Sequence, residues 1–220
     1  MESAIQYLPP VVIEGHEASG QSSADHPMRV ATRRAAGFEA DGWTPELRGE
    51  VAGFFDALAD EWHTRTTPQR RAVVLDALAR GVDPLHLRSG VAIEIGSGIG
   101  TYSSLLTEWF RMVVAIDLSR PMLARAPAGP ARRVQADASM LPVHDAAAAA
   151  VVLINAFLFP AEVARVLSRN GAIVWVNSSG AQTPIHLSAE DVVAALPGSW
   201  TGVASQAGKG TWCVLQRRDA

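Results

Sequence analysis

The sequence predicts an α/β fold in which a mostly parallel sheet carries helices on both faces, the doubly wound arrangement. From residue 91 onward, short apolar runs rich in β-branched residues alternate with segments of helical pattern. The runs are almost continuously apolar, which is typical of strands buried on both faces of a parallel sheet. The 220 residues and the 48% content of hydrophobic residue types suit one domain of ordinary size.

The N-terminal segment differs from the rest of the chain. Residues 1 to about 40 show no sustained hydrophobic period, and residues 15–23 have the composition of a mobile loop. We therefore assign residues 1–44 to a flexible segment or lid and residues 45–220 to a single domain.

Two amphipathic helices are predicted before the first strand, where they would form an N-terminal helical cap. The first runs from Pro45 to about Glu61, with Thr44 as its N-cap and proline at its first position. The second begins after Thr67 and ends at Gly81.

Seven strands are predicted after these helices. The parallel strands are expected at 91–95, 112–116, 132–136, 151–154 and 172–176, and an antiparallel C-terminal hairpin at 200–205 and 210–216. The helices between them are expected at 101–110, 119–125, 160–168 with a stop at 170–171, and from a capping box at 188–191 to about 196. The alanine run 146–150 suits either a helix or the start of a strand.

Composition excludes several function classes. The net charge of −3 and the isoelectric point near 6.1 give no basic footprint for nucleic acid. Cys213 is the only cysteine, which excludes an intrachain disulfide framework. Neither a signal-peptide pattern nor an apolar run of about 20 residues occurs, so we expect a cytoplasmic protein with no membrane partner. The oligomeric state is left open.

Three glycines at alternate positions follow the first strand of the predicted sheet, at Gly96, Gly98 and Gly100. Glycine adopts positive φ readily and lets a ligand approach the backbone closely. The sequence therefore predicts a ligand-binding loop at this point.

Polar residues stand where the following strands end. Asp117 lies 23 residues after Glu94 (117 − 94), at the tip of the neighbouring strand, and Asp137 and Asn155 end the next two. Ligands of open α/β sheets bind at these carboxyl ends, where a carboxylate can accept hydrogen bonds from ribose hydroxyls. Each aspartate also suits a helix N-cap or a solvated loop.

The glycine spacing distinguishes two nucleotide families. A dinucleotide fingerprint needs G-x-G-x-x-G, which residues 96–101 do not have. An acidic residue followed by G-x-G-x-G, here Glu94 to Gly100, resembles the class I S-adenosylmethionine-dependent methyltransferases. The resemblance covers about residues 50–177 and is closest to the type 11 small-molecule methyltransferases. It extends to 114–119 with Met122, to 136–138 followed by 141–142, and to 162–167 running into 170–171.

This resemblance implies a Rossmann-like fold and S-adenosylmethionine as the cofactor. Glu94 would hold the amino group of the cofactor or a water, Asp117 the ribose, and Asn155 the end nearest the sulfonium. The remaining implied contacts are Gly96, Ser97, Gly98 and Gly100 on the methionine part, Leu118 and Met122 on the adenine face, and Asp137 and Ala138 on the adenine edge.

The chain departs from the family in two places. Only residues 156–161 separate the fourth strand from the next helix, where relatives have a longer segment, and alanines 147–150 replace an aromatic-Asp pair. Acceptor residues therefore cannot be carried over from relatives.

The catalytic residues are not assigned, and candidates for the acceptor side come from residue type alone. His63 is a weak candidate for the base, and an exposed histidine at a helix end is the interpretation that we favour. His186 and Tyr102 are alternatives, and Trp43, Phe157 and Phe159 suit acceptor walls or core packing. The pair His144-Asp145 has no further ligand spacing, so no metal site is predicted.

The leading hypothesis is methyl transfer from S-adenosylmethionine to a small-molecule acceptor. The second is a non-catalytic regulatory module that binds the same cofactor. The third, an NAD-linked oxidoreductase, conflicts with the glycine spacing.

Overall fold

The computed structural model describes residues 4–16 and 25–218, in which eight strands form one sheet. Residues 17–24, which include most of the predicted mobile loop, lie outside the described residues. The strands are β1 Ile5–Tyr7, β2 Val91–Ile95, β3 Met112–Asp117, β4 Arg132–Gln135, β5 Ala148–Ile154, β6 Leu167–Asn177, β7 Trp200–Ala207 and β8 Gly210–Arg217.

The sheet is mostly parallel, as predicted. Its strand order is β1-β7-β8-β6-β5-β2-β3-β4, and β8 runs antiparallel to β6 and β7 while the other pairs are parallel. The prediction of seven strands is wrong by one, because β1 adds an edge strand parallel to β7. Its three residues contain one buried side chain, Ile5, which is too little to show a strand period.

Seven α-helices accompany the sheet in the described part of the chain. They are α1 Pro27–Ala35, α2 Pro45–Leu58, α3 Pro68–Ala77, α4 Ser103–Leu106, α5 Arg120–Ala124, α6 Pro160–Val166 and α7 Ala189–Ala195. Thr44 and Thr67 cap α2 and α3 as predicted, and Ser188 and Asp191 form the predicted capping box of α7. Of these described helices, none combines the length and the apolar character that crossing a membrane requires.

Several helices end earlier than the sequence predicts. α2 ends at Leu58 rather than at about Glu61, and α3 ends at Ala77, after which a π-helical turn continues over Leu78–Val82. The predicted helix at 101–110 is α-helical only over α4, because the amides of Glu108 and Trp109 bond to carbonyls three residues back and tighten the chain into turns. The helix predicted at 160–168 ends at Val166, and the expected stop at 170–171 lies inside β6. There Leu167 pairs with Ala148 of β5 across a register shift, so strand pairing replaces the last helical turn.

The core lies on both faces of the sheet. On one face, Ile93, Val151 and Trp175 pack with α6 and α7, and on the other, Ala92 and Val152 pack with α3 and α4. Successive residues of a strand point to opposite faces, which explains why the strands read as continuously apolar. The doubly wound prediction is confirmed.

A third, smaller cluster lies at the carboxyl edge of the sheet. Met28 and Ala31 of α1, Val51 of α2 and Ile185 of the loop after β6 are buried in it. Trp43, Leu47, Phe55 and Phe157 pack against it and are only partly buried. The regular structure of α1 and β1 thus occupies part of the segment for which the sequence shows no period.

Candidate active site

The cleft of the molecule opens where the strand order reverses. β2 and β5 lie side by side, and the chain continues from β2 outward through β3 and β4 and from β5 in the opposite direction through β6. A cavity of about 680 Å³ opens at the carboxyl ends of these strands. Its volume falls within the range of about 300–1,000 Å³ that is usual for ligand sites of this kind.

The glycine loop follows β2 and forms the floor of the cavity. Gly96, Gly98 and Gly100 all have positive φ, at 67°, 55° and 73°, which confirms that the loop needs glycine. Gly96 also approaches Ala156 so closely that an added Cβ would lie 2.7 Å from the Ala156 Cβ. Gly96, Ser97 and Gly98 line the cavity.

Gly100 does not line the cavity, and its contact with the methionine part of the cofactor stays a prediction. Its amide donates to the Ser97 carbonyl at 2.9 Å, and an added Cβ would lie 3.2 Å from the Ala126 Cβ. The third glycine of the motif therefore serves the turn and its close packing.

Glu94 is the buried acid of the motif and is 2% exposed. Its Oε2 accepts a hydrogen bond of 2.5 Å from Ser103 Oγ at the start of α4. Burial raises the pKa of Glu94 to about 7, with Asp117 adding to the rise and the Ser103 hydrogen bond opposing it. The carboxyl lines the cavity and can therefore change its protonation near neutral pH.

Asp117 joins the end of β3 to the glycine loop. Its Oδ2 accepts from the Gly98 amide at 2.7 Å, and its Oδ1 accepts from the Ser119 amide at 2.8 Å. Burial raises the pKa of Asp117, while these backbone hydrogen bonds oppose the rise. Each carboxylate oxygen can accept a further hydrogen bond, so the cap and the ligand contact are compatible.

Asp137 lines the cavity one strand further out, with Leu118, Met122 and Ala138. Its Oδ1 accepts from the Ser139 amide at 2.8 Å, and its Oδ2 accepts from Trp43 Nε1 at 3.2 Å. Arg48 lies 3.7 Å from the same oxygen. Asp137 thus fixes an aromatic side chain of the N-terminal part over the outer strands.

Asn155 ends β5 with a φ of 51° and bridges to the end of β6. Its Oδ1 accepts from the Ser178 amide at 2.9 Å, and its Nδ2 donates to Ser178 Oγ at 2.9 Å. The side chain lines the cavity while it holds the two strand ends together.

The histidines proposed from the sequence lie outside this cavity. His63 is exposed, and its Nδ1 lies 3.1 Å from the Asp60 carbonyl oxygen, so its prediction as a base is not supported. His186 lines a second cavity of about 380 Å³, where burial, followed by Arg29, lowers its pKa. His144 is exposed, and its neighbour Asp145 pairs with Arg165 at 2.7 Å.

The fold places the other candidates for the acceptor side in one cavity. Trp43, Phe157, Phe159 and Tyr102 all line the main cavity. No group of three or more His, Cys, Asp or Glu side chains within residues 4–16 and 25–218 is arranged to hold a metal ion.

Sequence reasoning missed several lining residues. Trp62 stands over the glycine loop, with Nε1 3.4 Å from where a Gly98 Cβ would be, and His26 and Met28 reach the cavity from the start of α1. Ser178 and Ser179 follow β6, and this polar pair at a strand end is the same kind of signal as Asp117. For His26 no such local pattern exists.

Trp62 lies over the glycine loop, and polar contacts hold α2 and the residues that follow it against the α5 region. Ser119 Oγ donates to Asp56 Oδ1 at 2.5 Å, and Arg125 Nε donates to Asp60 at 2.8 Å. These contacts join α2 to α5 and hold Trp62 above Gly98.

The comparison with protein families matches this part of the molecule. Residues 93–175 match the family model described as a methyltransferase domain. Over these residues the chain is similar to that family. The matched residues include the glycine loop, Asp117, Asp137 and Asn155, and the resemblance stated from the motifs is confirmed. No curated protein sequence matches the chain.

Solved structures share the fold at low sequence identity. The DhpI complex with S-adenosylhomocysteine matches with a TM-score of 0.61 and 18% identity, over 81% of this chain and 100% of that one. A candidate S-adenosylmethionine-dependent methyltransferase of Methanococcus maripaludis matches with a TM-score of 0.54 and 17% identity, over 78% of this chain and 94% of that one. A third match is phosphoethanolamine N-methyltransferase 1 of Haemonchus contortus in complex with phosphoethanolamine and S-adenosylhomocysteine. Its TM-score is 0.52 and its sequence identity 20%, over 64% of this chain and 34% of that one.

Several other matches are partial. Four structures with TM-scores of 0.39 to 0.48 are matched over 43% to 59% of their own length, so the chain spans about half of these proteins. Two of these similar structures, the DhpI complex and the Haemonchus contortus enzyme, hold S-adenosylhomocysteine.

Proposed function

We propose that the protein transfers a methyl group from S-adenosylmethionine to a small-molecule acceptor in the 680 Å³ cavity. One observation carries this proposal. Every cofactor contact inferred from the motif except Gly100 lines this one cavity, although these residues come from the ends of four different strands. Such convergence at the reversal of strand order is typical of a nucleotide-type site.

The residues fit the proposed cofactor. Gly98 leaves space between the loop and Trp62, Asp117 retains hydrogen-bond capacity for a ribose, and Leu118 and Met122 supply an apolar surface for a base. Ser97 Oγ is buried and has no hydrogen-bond partner within the described residues. The chemistry that S-adenosylmethionine supplies when bound is a methyl group already activated by its sulfonium.

The contribution of the protein is to position the reactants in the cavity and to exclude water from it. Trp62 lies over Gly98 of the loop and packs edge to face on Phe55, and Val51 of α2 and Met28 of α1 also line the cavity. An oriented pair of reactants in a covered site gains rate without a charged catalytic group. We propose on this basis that the part of residues 1–44 around α1 forms a lid. The cytoplasmic location stays a prediction from the sequence.

A second candidate function is a regulatory module that binds the cofactor without turnover. Two observations favour it: His63 is exposed and outside the cavity, and only residues 155–159 join β5 to α6, as the short sequence there predicts. The two candidates predict the same cofactor binding and differ only in turnover.

The experiment that separates them measures S-adenosylhomocysteine released from S-adenosylmethionine with a broad panel of small acceptors. We expect release that requires an acceptor, and an unchanged rate in His63→Ala because this side chain is outside the cavity. Tight cofactor binding with no release across the panel would instead support the regulatory module. Tighter binding of NADH than of S-adenosylhomocysteine would support the oxidoreductase.

A further inference from the structure

Part of the cavity lining comes from the third core cluster. Six of its side chains line the cavity and are called here the acceptor wall: Met28, Trp43, Val51, Phe55, Phe157 and Ile185. They come from α1, the segment before α2, α2 itself and the loops after β5 and β6. The inference below rests on the proposed function, because it concerns the second substrate of the same cavity.

Aromatic rings dominate this wall. Phe157 lies between Trp43, at a centroid distance of 5.6 Å, and Phe55, at 6.5 Å. Phe159 meets Trp43 edge to face at 5.1 Å. These centroid distances are those of favourable aromatic contacts. Because all four rings line one cavity, an aromatic ligand in the cavity can make further contacts of the same kind.

Charge is absent from the wall in the described residues. The charged side chains that line the cavity, Glu94, Asp117, Asp137, Arg65 and Arg70, all belong to the glycine-loop strands or to the segment 62–70. Arg29 of α1 does not line the cavity, and its Nη2 donates to the carbonyls of Ala181 at 2.6 Å and Thr183 at 3.0 Å, while its buried Nε has no hydrogen-bond partner within the described residues.

Asp137 reaches the wall through Trp43, but its charge is balanced by Arg48. A charged acceptor would therefore lose water without gaining a counter-charge, which is costly in a covered site. The wall favours a neutral acceptor.

Two polar side chains, His26 and Gln182, line the cavity together with the wall. His26 Nδ1 accepts a hydrogen bond of 3.1 Å from the Met28 amide, so the neutral imidazole carries its proton on Nε2 and offers a donor. Gln182 Oε1 is buried without a hydrogen-bond partner in the described part of the chain, and Gln182 and His26 both line the cavity. A donor and an unpaired acceptor together suit a hydroxyl or an amino group.

We propose that the acceptor is a neutral, planar aromatic molecule that carries a hydroxyl or amino group on its ring. The ring packs against Phe157 and its aromatic neighbours, and the polar group lies beside His26 and Gln182. None of the six wall side chains carries a charge that could pair with a carboxylate or a phosphate.

Three probes of similar size test this assignment by isothermal titration. 2-Naphthol is planar and neutral, 2-naphthoate adds a negative charge to the same ring, and decahydro-2-naphthol removes the aromaticity. We expect 2-naphthol to bind at least about tenfold more tightly than either of the others. Equal or tighter binding of the charged or the saturated probe overturns the proposal.

Two variants locate the binding. Phe157→Leu keeps an apolar side chain but removes the central ring, and we expect it to weaken 2-naphthol binding by about tenfold while S-adenosylhomocysteine affinity stays within about twofold. Trp109→Leu is the control, because Trp109 stacks with Arg88 and does not line the cavity. Wild-type affinity for 2-naphthol in Phe157→Leu overturns the proposal.

Each titration is carried out with and without saturating S-adenosylhomocysteine. If the wild-type protein does not bind S-adenosylhomocysteine, the proposed function is wrong. The titration with 2-naphthol in the absence of S-adenosylhomocysteine still measures whether the acceptor wall binds an aromatic ring. The two failures are therefore distinguishable.

Discussion

Single carboxyl groups organise the cofactor end of the cavity. Asp117 accepts two backbone hydrogen bonds, which fix the glycine loop against β3, and Glu94 is buried beneath the same loop with Ser103 as its partner. Burial raises the pKa of both groups. In the ligand-free protein these acids therefore cost stability when they ionise, which is the opposite of the usual effect of a paired surface carboxylate.

Glu94→Gln should remove a pH dependence of folding. Because the folded pKa of about 7 exceeds the ordinary value of 4.5, the native state holds a proton that the unfolded chain has lost, and stability falls as pH rises between these values. The free energy of unfolding of Glu94→Gln minus that of wild type should therefore rise between pH 5 and pH 8, by up to about 3 kcal/mol.

Urea denaturation of the ligand-free proteins at several pH values measures this difference. Glu108→Gln is the matched control, because Glu108 is exposed. A difference for Glu94→Gln that is flat or falls with pH would show that Glu94 is not held protonated by burial.

At the scale of elements, a contact between α2 and the N-cap of α5 holds α2 in place beside the glycine loop. Ser119 is buried and caps α5 by accepting from the Met122 amide at 3.2 Å, while its hydroxyl donates to Asp56 of α2. One side chain thus begins a helix and holds a neighbouring helix over the cavity.

Ser119→Ala should cost about 1–2 kcal/mol of stability, because a cap and an interhelical hydrogen bond are lost together. In a double-mutant cycle with Asp56→Ala, the coupling energy should be about 0.5–1 kcal/mol. Ser104→Ala, at an exposed position of α4, is the control. Urea denaturation of Ser119→Ala, Asp56→Ala, the double variant and Ser104→Ala measures these energies. Strictly additive effects of Ser119→Ala and Asp56→Ala would show that the two side chains do not hold α2 to α5.

The elements that the sequence predicts correctly are those with local signals. Thr44 and Thr67 before prolines begin α2 and α3, and the apolar runs become strands of the predicted type. The edge strand β1 and the extension of β6 through residues 167–170 depend on pairing with distant strands, which no local period reveals.

The same distinction holds for the site. Its cofactor side follows from a contiguous motif and from polar residues at strand ends. The acceptor wall is assembled from α1, α2 and two loops that are far apart in the sequence, so residues such as His26 and Gln182 join the cavity only through tertiary packing.

For the whole molecule, the two large core clusters hold a rigid sheet, and the third cluster frames the cavity at its edge. The loop after β2 and the wall beyond it therefore belong to different packing units. This division places the donor side on the sheet itself and the acceptor side on segments that surround it.

Isothermal titration with S-adenosylhomocysteine is the most direct test of whether the glycine loop and Asp117 bind the adenosyl cofactor. We predict micromolar-range binding that Asp117→Ala weakens by about 10- to 100-fold, as expected for hydrogen bonds to a charged group. Asp145→Ala, which removes an exposed partner of Arg165, should bind as wild type. Wild-type affinity in Asp117→Ala, or no binding by the wild-type protein, would contradict the account.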